Sequence, residues 1–239
     1  MILSTKAIVL NHIRHGDSSL IVRLYTECAG RQTVFVKGAS SRKSQMPAGL
    51  FQPLNMIETD LHKRTNREMQ RISNVRLFYP FRNIPFDPVK TCIALFITEI
   101  LHKTLKEEES NPALFDFLLH AIQTLDLNNR GTANFHLMFL LHYTRYLGFY
   151  PNAEQPSDIW FDSQREGFSF LPAATSPTRE YNRLLSRLLD MSFEHLDDLQ
   201  IDQHQRNYIT ELLLKYYATH VDNFGNIKSF SVLKNVFSD

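Results

Sequence analysis

A chain of 239 residues with 43% hydrophobic residues is long enough to bury one large core or two smaller ones. No apolar run reaches the roughly 18 residues that a membrane span needs, and the first residues lack the pattern of a signal peptide. We therefore expect a soluble cytoplasmic protein without membrane contact. The two distant cysteines, Cys28 and Cys92, form neither a disulfide framework nor a cysteine zinc site.

The formal net charge of +1 conceals an uneven distribution along the chain. Residues 1–80 hold 12 lysines and arginines against 5 acids, a formal charge of +7. Residues 81–239 hold 14 against 20, a formal charge of −6. A basic first part joined to an acidic second part is typical of a protein that meets a polyanion with one end.

Residues 5–78 show the pattern of short strands separated by turns. In the second predicted strand, Leu20, Val22 and Leu24 are expected on a core face. The opposite face of this strand is expected to present Arg23 and Tyr25. The five predicted strands are KAIVLNHI, SLIVRLYTE, TVFVKGA, LNMIETDLH and REMQRISNVRLF. Five strands with a long loop after the third predict an OB-type barrel, a fold that commonly binds single-stranded nucleic acid, and an SH3-like barrel is the alternative.

The hydrophobic period changes from strand-like to helical after the proline-containing residues 79–88. An irregular insertion at residues 150–177 contains four prolines and a predicted hairpin turned around SQREG, and the helix after it is expected to begin with Ser176 as its N-cap. The predicted helices are VKTCIALFITEILHKTL, NPALFDFLLHAIQTLDL, TANFHLMFLLHYTRYLGF, SPTREYNRLLSRLLDM, QHQRNYITELLLKYYATHV and NIKSFSVLKNVF. The predicted fold is therefore α+β, with an N-terminal five-stranded OB-type β-barrel at residues 1–80 and an all-α helical domain at residues 81–239.

No group of side chains in the sequence predicts catalysis or metal binding. The residues of HIRHGDSS crowd into one turn, where they cannot aim at a common substrate atom. His136 and His142 are six residues apart, which does not suit a pair of metal ligands on one helical face. The nucleotide-binding patterns GxxxxGKS/T and GxGxxG are absent. We therefore predict no enzyme, no catalytic residue, no metal and no cofactor.

The cations of residues 1–80 are the remaining candidate for a binding site. The stretch KGASSRKSQ at residues 37–45 carries Lys37, Arg42 and Lys43 without an acid. Its glycine and serines favour a mobile loop that follows a phosphate backbone without reading bases. The alternative interpretation of the whole basic set is scattered solubilising charge.

The chain resembles the RecO family, the bacterial recombination mediators of the RecF repair pathway. The resemblance covers the whole chain and rests on AIVL, HGDSSLIVRLYTE, VFVKGA with its basic continuation, LFQPLNMIE, NPALFDFLLHAI and FLLHYTRYLGFYP. It implies DNA repair and homologous recombination after DNA damage by a non-enzymatic, nucleoid-associated protein. Such a protein binds single- and double-stranded DNA, anneals complementary strands, associates with RecR and helps load RecA onto DNA coated with single-strand-binding protein (SSB).

The resemblance also nominates individual residues. Lys37, Arg42 and Lys43 correspond to the family's basic loop, and Arg14, Arg23, Lys63 and Arg64 are further candidate DNA contacts. Many relatives carry a zinc-binding cysteine cluster after LGFYP, which this chain lacks, so no zinc is expected. The side chains expected to pack in its place are Trp160, Phe161, Phe168 and Phe170.

In the RecO family the helical domain receives the acidic, apolar C-terminal tail of SSB. Such a tail needs a hydrophobic groove with a cation at its rim, so Arg130, Arg145 and Phe139 are candidate contacts. Two other functions stay open at this point. The first is an interaction scaffold whose basic loop only keeps the protein soluble, and the second is an RNA-binding OB-fold protein.

Overall fold

The computed structural model describes residues 1–41, 44–64, 66–151, 160–162, 167–169 and 178–237. The chain divides into two compact units. The first unit consists of Met1–Asp87 with Ala94–Asp126, and the second consists of Pro88–Ile93 with Leu127–Asp239. The boundary expected at residue 80 stays a prediction.

Five antiparallel strands form the sheet of the first unit, as predicted. They are β1 (Ile2–His15), β2 (Ser19–Thr26), β3 (Gly30–Val36), β4 (Met56–His62) and β5 (Arg71–Tyr79), in the spatial order β3-β2-β1-β4-β5. Strand β1 is longer than the predicted segment because it pairs along its first half with β4 and along its second half with β2. Ala7 and Ile8 pair with both neighbouring strands, and the pairing of β1 with β2 contains a bulge between Val9 and Asn11.

The sheet does not close into a continuous barrel, which corrects the predicted closure. Its two edge strands meet at an isolated bridge between Val34 of β3 and Gln70, the residue before β5. There the Phe35 N–H donates to the Gln70 carbonyl at 3.0 Å, and the Gln70 N–H donates to the Thr33 carbonyl at 2.8 Å. A five-stranded sheet in this order, with such limited contact between its edges, is the partly open arrangement of an OB-type fold.

The core of this sheet contains Leu20, Val22 and Leu24, as the alternation along β2 predicts. Its members are Ala7, Val9, Leu20, Val22, Leu24, Ala29, Val34, Val36, Phe51, Ile57, Leu61 and Ile72. Tyr25 differs from the expectation, because it is only 2% exposed and stacks on Phe115 with 6.3 Å between ring centroids. Burial raises the pKa of Tyr25 to about 12. A helix of the same unit therefore covers this part of the outer face, which strand alternation alone cannot show.

The six predicted helices are all present among the described residues. They are α1 (Pro88–Thr104), α2 (Pro112–Leu127), α3 (Phe135–Leu147), α4 (Arg179–Asp190), α5 (Gln203–His220) and α6 (Ser229–Val236). Thr178 is the N-cap of α4, so the expectation of an N-cap at Ser176 was wrong by two residues. None of the helices in the described ranges is long and apolar enough to cross a membrane.

The predicted hairpin is present as a small antiparallel pair, β6 (Trp160–Asp162) and β7 (Gly167–Ser169). Phe161 pairs with Phe168 in its register. The packing expected for the aromatic side chains of this segment, apart from that of half-buried Trp160, lies outside the described residues. No group of three or more histidine, cysteine or acidic residues within the described ranges is arranged to hold a metal ion.

Helix α3 lies at the centre of the second unit and contacts α4 and α5. Its rings of Phe135, Phe139 and Tyr143 are buried and stack in sequence at 6.5 and 5.4 Å. His136 Nε2 lies 3.0 Å from Thr210 Oγ1, and burial lowers the pKa of this histidine to about 3. His142 Nε2 donates to the Leu188 carbonyl at 3.2 Å. Both histidines therefore serve the helical core.

Candidate nucleic-acid interface

An apolar row crosses the outer face of the sheet on β1, β2 and β3. The strand register places Ile13 opposite Ile21 and Ile21 opposite Phe35, so the three side chains share one face. Ile13 is 49% exposed, whereas Ile21 and Phe35 are half-buried. The exposed His15 ring stands edge-on to Phe35 with 5.6 Å between centroids. We call Ile13, Ile21 and Phe35 the platform, since an accessible ring on an OB sheet is the surface on which a base stacks.

Cations border the platform on two sides. Arg23 lies two residues from Ile21 along β2 and therefore on the same face, where its Nη1 donates to Asn11 Oδ1 at 3.4 Å. Lys37 is exposed directly after β3, at the beginning of the predicted basic loop. Arg14 pairs with the core residue Leu20 in the register, so alternation places it on the other face of β1. The structure therefore groups Arg23 and Lys37 with the platform and separates Arg14 from it.

The loop after β3 is anchored at its base. The Ser40 N–H donates to the Ser18 carbonyl in the β1–β2 turn at 3.0 Å, and the Ala48 N–H donates to the Ala39 carbonyl at 3.0 Å. Gly38 begins the turn whose Ser41 N–H donates to the Gly38 carbonyl at 3.0 Å, and its φ of +71° is one that glycine adopts without strain. Arg42 and Lys43 lie outside the described residues, so their role as phosphate contacts stays a prediction.

Lys63 and Arg64 follow β4 and begin the loop that leads to β5. Gln70 at the end of this loop is bonded to Thr33 and Phe35, so the loop reaches the free edge of β3. Arg64 is exposed and Lys63 is half-buried, and the Lys63 N–H donates to the Met1 carbonyl at 3.0 Å. Of the two predicted contacts, Arg64 is therefore the one that this loop presents to solvent.

Arg31, another cation of the first unit, has a structural role. Its Nη1 donates to the Leu105 carbonyl at 2.6 Å, and its backbone N–H donates to the Glu107 carbonyl at 2.9 Å. Burial, followed by the charges of Arg23, Arg31 and Lys103, lowers the pKa of nearby His102, which keeps this imidazole neutral at pH 7. We therefore do not count Arg31 and His102 among the cations that could contact a ligand on the platform.

The three predicted contacts for an acidic tail differ in their exposure within the second unit. Phe139 is 0% exposed and belongs to the helical core, so it offers no surface to a docked peptide. Arg145 is exposed and lies over the Tyr150 ring, 4.4 Å from its centroid. Arg130 is exposed after α2 and its N–H donates to Asn128 Oδ1 at 3.0 Å. Docking of a tail at Arg130 and Arg145 stays a prediction.

Comparison with known proteins identifies the family. The family described as Recombination protein O N terminal matches residues 1–81, and that described as Recombination protein O C terminal matches residues 85–229. The chain belongs to the RecO family. Curated proteins named DNA repair protein RecO from Flavobacterium psychrophilum and Phocaeicola vulgatus are 38% and 37% identical to it, each over 100% of both chains. The RecO protein of Porphyromonas gingivalis is 28% identical over 99% of this chain and 100% of its own.

Membership of the RecO family gives this protein a role in DNA repair and recombination and confirms the resemblance inferred from the sequence motifs. None of the platform residues Ile13, Ile21 and Phe35 was among the DNA contacts predicted from the sequence, which were all cations. The signal for Phe35 was present in TVFVK, where Thr33, Phe35 and Lys37 alternate with the buried Val34 and Val36.

Proposed function

We propose that this RecO protein binds single- and double-stranded DNA with its sheet unit, anneals complementary strands and, together with RecR, assists RecA loading on SSB-coated DNA. The observation that carries this proposal is the platform of Ile13, Ile21 and Phe35, bordered by Arg23 and Lys37. Bases stack on such a surface regardless of their identity, while the cations hold the backbone. The name of the relatives, DNA repair protein, supports DNA as the nucleic acid.

Annealing follows from charge neutralisation. Each phosphate that a lysine or arginine neutralises releases condensed counterions and lowers the repulsion between two approaching strands. The formal charge of +7 on residues 1–80 supports contacts with the phosphates of more than one strand. The process needs no bond to be made or broken, so we assign no enzymatic step, and we also assign no zinc.

The helical unit provides the attachment to protein-coated DNA in this proposal. Arg130 and Arg145 are its candidates for the carboxylates of the SSB tail. Capture of that tail raises the local concentration of the sheet unit at coated DNA. We place this activity in the bacterial cytoplasm at the nucleoid, where single-stranded DNA is exposed during repair.

Salt titration tests the basic loop. Lys37, Arg42 and Lys43 are changed together to alanine, and binding of fluorescent single-stranded DNA is measured by anisotropy across a salt series. We expect affinity to fall on the order of a hundredfold, because three charge-assisted contacts are lost. The slope of log affinity against log salt is expected to decrease by about 2.

The matched control for this experiment removes three arginines from the helical unit, Arg179, Arg183 and Arg187, and so changes the net charge equally. An unchanged affinity and slope in the loop variant would refute the assignment of the loop. RNA of the same length separates DNA binding from RNA binding, since tighter binding of RNA favours the RNA-binding alternative. Wild-type protein that binds neither is an interaction scaffold.

Phe35→Ala tests the platform. We expect the affinity for single-stranded DNA to fall roughly tenfold, because base stacking on one aromatic ring contributes about 1–3 kcal/mol. Double-stranded DNA, whose bases are already stacked, is expected to bind almost as before. The control is Phe86→Ala, a ring of the same unit that is 81% exposed. Equal effects of the two variants, or equal losses for both forms of DNA, would contradict stacking on Phe35.

A further inference from the structure

A basic cavity of about 210 Å³ lies in the loop between β4 and β5. Arg64, Arg67 and Arg71 line it together with His62 and Met69. No acidic residue is among the lining residues in the described part of the loop, although exposed Glu68 belongs to the same loop. Three arginines that line one small cavity, without an acid among the lining residues, favour the binding of an anion.

The side chain of Gln70 holds this loop in place. It is only 7% exposed, and its amide makes three hydrogen bonds to the loop backbone. Its Nε2 donates to the carbonyls of Arg64 and Arg67 at 3.0 and 2.6 Å, and its Oε1 accepts from the Arg64 N–H at 2.8 Å. One buried amide fixes the backbone of both arginines. The loop is therefore partly ordered before a ligand binds, which lowers the entropic cost of binding.

The backbone of Gln70 joins the cavity to the platform. Its bonds to Thr33 and Phe35 attach the loop to the outer edge of β3, the strand that carries the ring of the platform. The row from Ile13 through Ile21 to Phe35 runs across the sheet toward that same edge. A strand of nucleic acid whose bases lie along this row therefore arrives at the β4–β5 loop when it passes Phe35.

We propose that the cavity of Arg64, Arg67 and Arg71 is a phosphate subsite for the DNA strand that lies on the platform. The subsite rests on the proposed function and is separate from the loop at residues 37–45. The planar guanidinium groups match the oxygens of a phosphodiester, to which each can donate two hydrogen bonds. Met69, which is 45% exposed at the cavity, supplies a flexible apolar contact for the adjoining sugar or base.

The first test removes the three arginines from the full chain. For Arg64→Ala, Arg67→Ala and Arg71→Ala combined, we expect the affinity for a fluorescent oligothymidine of about 30 nucleotides to fall at least tenfold. The salt slope is expected to decrease by about 0.7, which corresponds to one lost phosphate contact on single-stranded DNA. The control combines Arg179→Ala, Arg183→Ala and Arg187→Ala, which remove three arginines from another cavity, in the second unit. Its affinity and slope are expected to stay at the wild-type values.

The outcomes separate the subsite from the proposed function. Wild-type protein that does not bind DNA refutes the proposed function itself. Wild-type binding that persists in the cavity variant, or that falls equally in the control variant, overturns only the subsite. Thermal unfolding of both variants shows whether the loss of arginines has affected the fold.

A second measurement gives a result even if the triple variant does not fold. Met69 is replaced with the photoreactive residue p-benzoylphenylalanine, which its exposed position accommodates. Irradiation with labelled single-stranded DNA is expected to give a covalent adduct that excess unlabelled DNA suppresses. The same replacement at Val232, which is 49% exposed in the helical unit, is the control. An absent adduct at Met69 in a protein that still binds DNA, or an equal yield at Val232, overturns the subsite.

Discussion

Replacing Asp126 with alanine is expected to lower the free energy of unfolding by about 3 to 5 kcal/mol. This carboxylate lies near the end of α2 with 0% exposure. It accepts hydrogen bonds of 2.8 to 3.2 Å from the N–H groups of Arg82, Asn83 and Ile84 and from the Tyr79 hydroxyl. Its removal leaves these part-buried donors without an acceptor. Urea denaturation at pH 7 measures the loss, and exposed Asp116 of the same helix, changed to alanine, is the control.

The same carboxylate predicts a pH dependence. Burial alone would raise the pKa of Asp126, but the hydrogen bonds from the three N–H groups and the Tyr79 hydroxyl together lower it by more. The pKa of Asp126 is therefore lowered. A carboxyl with a lowered pKa in the folded state adds stability above its unfolded pKa near ~4. This contribution is lost as the pH falls through the folded pKa. The stability difference between wild type and Asp126→Asn is therefore expected to shrink below about pH 4, and a constant difference would contradict this prediction.

The second large effect is expected for Gly30→Ala, at about 3 kcal/mol of lost stability. Gly30 has a φ of +61°, which costs an L-residue about 1–2 kcal/mol. An added Cβ would also meet the backbone carbonyls of Glu107 and Glu109, the first of them at 2.6 Å. Because these are backbone atoms, the whole segment must shift, which adds the typical 1–3 kcal/mol of overpacking.

Gly16→Ala is the matched control for Gly30→Ala. Gly16 has the same φ of +61°, but a Cβ there would have no atom within 4 Å. It is therefore expected to lose only the conformational part, about 1–2 kcal/mol. Chemical denaturation of both variants measures the difference. Equal losses of stability would show that the segment with Glu107 and Glu109 can move away from the added Cβ without a loss of free energy.

Periodicity predicted the kind and order of the elements well, because the side chains that repeat along a strand or helix are those that it buries. Leu20, Val22 and Leu24 are buried as expected. Tyr25 was expected on the face opposite the core, but it is buried because Phe115, 90 residues away along the chain, stacks on it. The double pairing of β1 was missed for the same reason, since a local pattern does not name its partners.

The candidate site was only partly accessible from the sequence. The basic composition and the resemblance to the RecO family nominated Arg23, Lys37 and Arg64 without any knowledge of their neighbours. The contribution of Gln70 was not visible, because a single glutamine becomes informative only when its amide meets the loop backbone. Phe139 shows the opposite error, since an aromatic residue near cations at helical spacing was taken for a docking contact and is a core residue.

The double pairing of β1 also has a consequence for synthesis of the chain. Its second half pairs with the neighbouring β2, but Lys6 in its first half pairs with Glu58, which the ribosome adds 52 residues later. At roughly 5 to 20 residues per second, that edge of β1 stays unpaired for several seconds. An unpaired strand edge is a template for association with other chains. The nascent protein is therefore expected to associate with other chains more readily before β4 emerges than after it.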